Sequence, residues 1–243
     1  EPIRSIQPLG GGVNTTLKVA YENGAQGIFK PTRGELYYES SRTTDEILFT
    51  REVNAYDIIE NWLKNGAAQL PHGTALQVPQ TVETVVFHNG EAYGAGSMQF
   101  FMEGYVPLKN LNAELRTKLM QDPRWGTLEA RIRTYDYVTG NYDRFPNSVH
   151  RDGNLGNIMV RYEGGQDISV ALIDNGVGRK PTLGFDISHA PIRDHIPPDL
   201  RAAILEFDEK AFAEAYADRL ASSGIEDFLA RMRELKNRIL NGP

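Results

Sequence analysis

The chain has 243 residues, of which 40% are hydrophobic and 24% charged, and its formal net charge is −6. That length suits one compact domain or two lobes that share a cleft, while the acidic balance without a lysine- or arginine-rich stripe argues against a nucleic-acid-binding protein. No apolar run approaches the roughly 20 residues needed to span a bilayer, and the absence of cysteine rules out disulfides, thiol catalysis and cysteine-ligated zinc.

The sequence does not determine the cellular compartment of the protein. The chain begins at Glu1 rather than at a methionine, which indicates a processed or trimmed piece from which any signal segment is already gone. We expect a soluble protein. A mature secreted or translocated bacterial protein and a cytoplasmic protein both fit the sequence.

The first 100 residues are predicted to form mostly strands around one inserted helix. Asn-Gly pairs at positions 23–24 and 89–90 favour the left-handed backbone of tight turns, so each predicts a β-hairpin. The predicted hairpin strands are Leu17–Tyr21 with Gly27–Phe29, and Thr81–Phe87 with Ala92–Phe101. The inserted helix is predicted from apolar residues at helical spacing, namely Phe49, Val53, Tyr56, Ile59 and Leu63. Asn65-Gly66 is predicted to end this helix.

After Glu103-Gly104 the apolar pattern becomes helical, interrupted by a short β pair at Ile158–Tyr162 and Ile168–Ile173. Two helical stripes stand out: Leu128, Ile132, Tyr135 and Val138, and later Phe228, Met232, Leu235 and Ile239. The sequence therefore predicts a two-lobed α+β fold, with a β-rich N-lobe over residues 1–104 and a helical C-lobe over residues 105–243. The functional site is expected in the cleft between the lobes.

A glycine-rich loop, Gly10-Gly11-Gly12, follows a predicted first strand and precedes Leu17–Tyr21. Glycines let the backbone approach a phosphate closely and point its N–H groups at it. A plain flexible turn is the alternative. The loop is not of the Walker type, because no Gly-Lys-Ser/Thr follows.

Lys30 ends the strand that contains Gly27-Ile28-Phe29, and Glu52 lies in the inserted helix. A lysine that projects from a strand end into a cleft can hold phosphate oxygens as a point charge, and a helix glutamate can pair with it and fix its position. The alternatives are a solvated surface lysine and an exposed helical glutamate.

Three further polar residues occur in the order that phosphoryl transfer requires: Asp143 on a loop, Asn157 opening a strand and Asp174 closing the next one. A carboxylate can accept the proton of the acceptor, while an amide oxygen and a second carboxylate can hold the metal that neutralises the phosphates. Asp152 competes with Asp143 as the base, because it precedes Asn157 by five residues as in the catalytic loop of protein kinases. The residues alone leave that choice open.

These segments resemble the atypical secretory-pathway kinases, the four-jointed and Golgi casein kinase group, and more distantly the phosphatidylinositol kinase-like clan. The segments that carry the resemblance are Ala25–Pro31, Arg51–Tyr56, Gly96–Gly104, Asp136–Arg144 and Leu172–Gly176. The resemblance implies that Asp143 is the base, with Asp152 second, and that backbone groups around Gln99 and Phe101 meet the adenine. Two departures are a longer stretch from Asp143 to Asn157 and the absence of the group's cysteines.

The hypothesis is an ATP-dependent phosphotransferase that moves the γ-phosphate to a hydroxyl group of a protein, a sugar or a lipid head group. Lys30, held by Glu52, would position the phosphates under Gly10–Gly12, and Asn157 and Asp174 would ligate Mg²⁺ or Mn²⁺ through oxygen atoms. The alternatives are a pseudokinase or nucleotide-binding module without transfer activity, and an AMP transferase on the same fold.

Overall fold

Two β-sheets and a set of helices make up the part of the chain that the computed structural model describes. That part comprises residues 1–10, 15–32, 48–63, 70–141, 144–145, 153–165, 167–175, 196–220 and 222–241. The strands are β1 Ile3–Pro8, β2 Leu17–Tyr21, β3 Gln26–Pro31, β4 Thr74–Gln77, β5 Thr81–His88, β6 Glu91–Phe100, β7 Val106–Pro107, β8 Ile158–Tyr162 and β9 Ile168–Leu172. Among the helices of these ranges, none is both long and apolar enough to cross a membrane.

The first sheet is antiparallel, with the strand order β1-β2-β3-β6-β5. Both predicted hairpins are confirmed, as β2 with β3 and β5 with β6. At the second turn Asn89 and Gly90 have φ angles of 51° and 81°, the positive values that an Asn-Gly turn supplies at low steric cost.

The two faces of the first sheet carry different side chains. Along β3 every second residue is buried, and Phe29 packs with Leu17, Val19 and Val86 in a small core on one face. Because side chains alternate along a strand, Lys30 projects from the opposite face.

The helices are α1 Leu48–Ile58, α2 Ala113–Gln121, α3 Pro123–Thr139, α4 Pro198–Glu206, α5 Glu209–Tyr216 and α6 Ser222–Asn241. The inserted helix is confirmed as α1, which packs against β5 and β6 and continues as a π-helical turn over Ile59–Leu63. Its predicted stop at Asn65-Gly66 lies outside the described residues. Ile58 and Ile59 are buried in the main core, so α1 contacts both halves of the molecule.

Helix α3 runs through the centre of the main core. It begins earlier than its apolar stripe predicts, because the Asp122 side chain accepts a hydrogen bond from the backbone N–H of Arg124 and Pro123 occupies the first turn. It ends at Gly140, whose φ of 74° is the left-handed conformation typical of a helix C-terminus.

Aromatic side chains join the end of α1 to the C-terminal helices. Trp62 contacts Phe207 and Phe212 with ring centroids 5.5 and 5.3 Å apart, and Phe212 stacks on Phe228 at 4.1 Å. The predicted terminal stripe, which starts at Phe228, is the buried face of α6.

The second sheet has the order β4-β9-β8-β7, with β4 parallel to β9 and the other pairs antiparallel. All five residues of β9 are buried, as expected for a strand with neighbours on both sides. The sequence analysis predicted β8 and β9 but not the short strands β4 and β7. Strand β4 therefore brings a segment from the first half of the chain into the sheet of the second half.

We expect the Phe212→Ala variant to lose about 3–5 kcal/mol of unfolding free energy, because it removes a fully buried ring from the aromatic cluster. Phe87→Ala removes the same ring from a site where it is 63% exposed, and should change the unfolding free energy by less than about 0.5 kcal/mol. Chemical denaturation measures both variants. Equal losses in the two variants would contradict this description of the core.

Candidate active site

The end of β3 places Lys30 beside Ser97 of β6, its direct cross-strand partner. The two strands approach closely here because residue 96 is glycine. A Cβ atom on Gly96 would lie 2.2 Å from the carbonyl oxygen of Lys30, which no side chain could tolerate. The close pairing puts the Lys30 and Ser97 side chains next to each other on the face that α1 covers.

Glu52 of α1 meets both of these side chains. One carboxylate oxygen accepts a hydrogen bond from Lys30 Nζ, and the other accepts one from Ser97 Oγ at 3.2 Å. The side chain of Glu52 is 8% exposed and that of Lys30 is 24% exposed. Burial raises the pKa of Glu52 to about 7, although the attraction of Lys30 pulls it down.

Asn157 and Asp174 lie at one end of the antiparallel pair β8 and β9. Ile158 faces Leu172 in the ladder, so the residue before β8 lies near the residues that follow β9. Asn157 Nδ2 donates to Asp174 Oδ2 at 3.2 Å. Asp174 has a φ of 57°, a left-handed conformation that aspartate and asparagine adopt more readily than most residues.

Lys30 of the first sheet contacts Asp174, which follows the last strand of the second sheet. Lys30 Nζ lies 2.8 Å from Asp174 Oδ1, so the ammonium group contacts two carboxylates, those of Glu52 and Asp174. Burial opposes the charge of Lys30, but Glu52 and Asp174 outweigh it and raise the pKa of the lysine. The positive charge of Lys30 in turn holds the pKa of Asp174 well below its usual range.

The structure thus brings together Lys30, Glu52, Asn157 and Asp174, four of the residues singled out from the sequence. The Asp174 side chain is 47% exposed, so its carboxylate remains open to solvent and to a ligand. Within the described ranges, no group of three or more histidine, aspartate or glutamate side chains could hold a metal ion. Protein oxygens for a metal at this place would therefore come from Asn157 and Asp174, with the amide of Asn157 rotated to present its oxygen.

Arg144 is a framework residue whose role the sequence analysis missed. It is fully buried, pairs with the carboxylate of Asp136, and donates to the carbonyl of Ile173 and to Asn175 Oδ1, both at 2.8 Å. Its Nε also donates to the carbonyl of Asn157 at 3.4 Å. One guanidinium thus ties together the backbones that carry Asn157 and Asp174.

Asn141 completes this framework by donating from Nδ2 to the backbone carbonyl of Asp174 at 3.0 Å. A sequence signal existed for both residues, since Asn141 and Arg144 lie within the Asp136–Arg144 segment that carries the resemblance. The sequence did not indicate that these two side chains are buried. An Asp-Arg sequence by itself is typical of an exposed ion pair.

Four predicted site residues, Gly11, Gly12, Asp143 and Asp152, lie outside the described residues. Gly10 is described. It follows β1 in a loop that a hydrogen bond from Leu9 N to Thr16 O closes at 2.8 Å, and a Cβ there would meet no atom within 4 Å.

Gln99 lies at the end of β6, two residues beyond Ser97, and Phe101 lies just after the strand. The Gln99 amide is buried and donates to Thr81 Oγ1 at 3.1 Å, and its backbone lies between β3 and β5 in the sheet. The N–H of Phe101 donates to the carbonyl of Gln26 at 3.1 Å. Lys18 Nζ lies 4.1 Å from the centroid of the Phe101 ring.

No known family model matches the sequence, and no curated protein matches it by sequence. Solved structures do match in shape. A Golgi casein kinase structure aligns with 99% of this chain and 73% of its own length, at 16% identity and a TM-score of 0.56. A second Golgi casein kinase structure, with Mn and ADP bound, aligns with 98% of this chain and 73% of its own, at 15% identity and a TM-score of 0.55. This likeness confirms the predicted fold class, a kinase-like α+β fold with a β-rich N-terminal part and a helical C-terminal part.

We expect the Lys30→Ala variant to be destabilised more at pH 8 than at pH 5. Without Lys30, Glu52 is a buried carboxyl group whose partnering cation is gone, so its pKa in the folded state rises further. A carboxyl group with a raised folded pKa is neutral in both states at low pH and therefore costs nothing there. Because the pKa of Glu52 is already about 7 in the unchanged protein, the additional loss in the variant appears as pH rises above about 7 and reaches roughly 1–1.5 kcal/mol at pH 8.

The double variant Lys30→Ala/Glu52→Gln should recover most of this loss, since the uncompensated carboxylate is removed. Denaturation at both pH values measures the effect. A pH-independent loss in the single variant, or no recovery in the double variant, would show that Glu52 does not depend on Lys30.

Proposed function

We propose that the chain is an ATP-dependent phosphotransferase, an atypical kinase that transfers the γ-phosphate of ATP to a hydroxyl group. The observation that carries this proposal is the convergence of Lys30, Glu52, Asn157 and Asp174, which come from two sheets and one helix. A lysine with a helix glutamate, opposite an asparagine with an aspartate, is the set of groups that holds phosphates and their metal ions in kinases. The kinase-like fold supports the proposal, but the main argument is the arrangement of these side chains, because one fold can host many functions.

Lys30 would bind the α- and β-phosphates as a point charge. In the present arrangement its ammonium group bridges Glu52 and Asp174. Nucleotide binding would exchange the contact with Asp174 for contacts with phosphate oxygens, while Glu52 keeps the lysine in place. Because Glu52 is buried and also accepts from Ser97, it is the fixed partner of the two.

The oxygen atoms of Asn157 and Asp174 suit Mg²⁺ or Mn²⁺, hard cations that take carboxylate and amide oxygens and fill their other positions with water and phosphate. A metal ion held there would neutralise phosphate charge as the transfer proceeds. Arg144 would hold the two ligands in fixed relative positions through its hydrogen bonds to the carbonyls of Asn157 and Ile173. The Golgi casein kinase structure that contains Mn and ADP supports this use of metal and nucleotide.

Asp143 is the proposed base and Asp152 the second candidate. Support for Asp143 comes from its neighbours Asn141 and Arg144, which both bond to the Asp174 loop. In the transfer, the acceptor oxygen would form a bond to the γ-phosphorus and the bond from that phosphorus to the β–γ bridging oxygen would break. ADP would leave with the electron pair, and the acceptor proton would pass to the carboxylate of the base.

The remaining roles follow the same scheme. The backbone of Gly10–Gly12 would cover the phosphates, and the backbone near Gln99 and Phe101 would meet the adenine. Since the N–H of Phe101 is already bonded to Gln26, its carbonyl is the group with capacity for a ligand. We propose membership of the four-jointed and Golgi casein kinase group, within the phosphatidylinositol kinase-like clan. The acceptor would be a protein serine or threonine, a sugar or a lipid head group.

We expect the Asp174→Asn variant to lose metal-dependent ATP turnover by a factor of about 10² or more, the scale of removing one preorganised electrostatic group. Asparagine tolerates the left-handed backbone at this position, so the fold should persist by circular dichroism. Asp167→Asn, a change of an exposed aspartate before β9, is the matched control and should turn over ATP normally. Undiminished turnover in Asp174→Asn would refute the metal assignment.

Labelled ATP separates the enzyme classes. With Mn²⁺ and a mixture of hydroxyl acceptors, a kinase transfers label from γ-labelled ATP and none from α-labelled ATP. Transfer from α-labelled ATP alone would make the protein an AMP transferase. Nucleotide binding by calorimetry without transfer of either label would make it a pseudokinase, and either result would overturn the proposal.

A further inference from the structure

Helix α1 presents two different polar faces. A helix turns by about 100° per residue, so Asn54 lies about 200° and Asp57 about 140° around the helix from Glu52. While Glu52 points at the first sheet, the opposite face points at the segment that ends α5.

Four residues form what we call the helix clamp: Asn54 and Asp57 on that face of α1, Tyr216 at the end of α5, and Arg219 in the turn that follows. Asp57 Oδ2 accepts hydrogen bonds from the Tyr216 hydroxyl and from Arg219 Nη1, the latter at 3.0 Å. Asn54 Nδ2 donates to the backbone carbonyl of Arg219 at 3.0 Å. The clamp thus joins the helix of the predicted N-lobe to a turn of the predicted C-lobe.

Burial makes the clamp more than a surface ion pair, which alone contributes little. Tyr216 is 1% exposed and Asn54 is 3% exposed, whereas the side chains of Asp57 and Arg219 are 29% and 41% exposed, so the hydrogen bonds of Tyr216 and Asn54 are partly shielded from water. The other oxygen of Asp57 accepts from Asn61 Nδ2 at 2.7 Å, which fixes the carboxylate from within the helix. The turn itself is held by the N–H groups of Arg219 and Leu220, both bonded to the carbonyl of Tyr216.

We propose that the helix clamp positions Lys30 by holding α1 where Glu52 can pair with the lysine. A shift of α1 away from the first sheet would have to break the bonds of Asp57 and Asn54 to the turn after α5. Contacts within this chain therefore hold Glu52 beside Lys30. Any effect of the clamp on phosphate transfer rests on the proposed function, whereas its effect on Lys30 does not.

The test measures Lys30 directly. An acylating reagent reacts with an amine that is uncovered and unpaired, so the rate of Lys30 modification at pH 9, followed by peptide mass spectrometry, reports whether Glu52 still covers and pairs with the lysine. Asp57→Ala should release α1 and withdraw Glu52 from Lys30. We expect the modification rate of Lys30 to rise about tenfold, which corresponds to the loss of about 1.4 kcal/mol of interaction.

Two variants define the range of the measurement. Glu52→Gln removes the partner charge itself and sets the largest expected increase. Tyr216→Phe deletes only the buried hydroxyl, keeps the ring in the aromatic cluster, and should give a smaller increase, so the test survives if Asp57→Ala fails to fold. Lys118, an exposed lysine paired with Glu114, is the internal reference and should keep its rate in every variant.

Glu209→Ala is the matched control, because it breaks the partly exposed pair of Glu209 with Arg233 between α5 and α6 without touching α1. Its Lys30 rate should equal that of the unchanged protein. Folded Asp57→Ala and Tyr216→Phe proteins with an unchanged Lys30 rate would overturn the clamp. Raised Lys30 rates in the clamp variants, together with an unchanged protein that itself transfers no phosphate, would instead uphold the clamp and refute the proposed function.

Discussion

The site depends on one ammonium group held between two carboxylates. Lys30 contacts Glu52 from α1 and Asp174 from the loop after β9, so a single positive charge connects the first sheet to the second. Two carboxylates around one cation leave a net negative charge at an exposed edge, where Asp174 faces solvent. On the proposed function, a divalent ion with bound phosphates would replace the lysine at Asp174, while Lys30 stays paired with Glu52.

The framework beneath the site is more buried than the site itself. Arg144 is fully enclosed and bonds to Asp136, to Asn175 and to two backbone carbonyls. A planar guanidinium can satisfy several acceptors in fixed directions, which a lysine could not do. On the proposed function, this rigid support beneath buried Asn157 and exposed Asp174 would keep both side chains in place while metal and nucleotide are exchanged.

Local sequence signals predicted the local structure well. Asn89-Gly90 determined a hairpin through its own backbone preference, and the stripe from Leu128 to Val138 marked the central helix. The order of Asn157 and Asp174 around a β pair was enough to predict their contact, because antiparallel neighbours bring the start of one strand to the end of the next. Contacts between residues far apart in the chain were not predictable. The burial of Arg144 depends on residues far away in the chain, and β4 is too short to show a period.

Strand β4 makes the two halves of the molecule interdependent. It precedes β5 and β6 of the first sheet, yet its hydrogen bonds go to β9 of the second, with Thr74 beside Ile168. A chain cut near residue 104 would leave an edge of the fully buried β9 open to foreign strands. During synthesis β4 must wait for a partner made much later, and such distant pairings form slowly. The chain is therefore expected to mature, and to be degraded, as one unit.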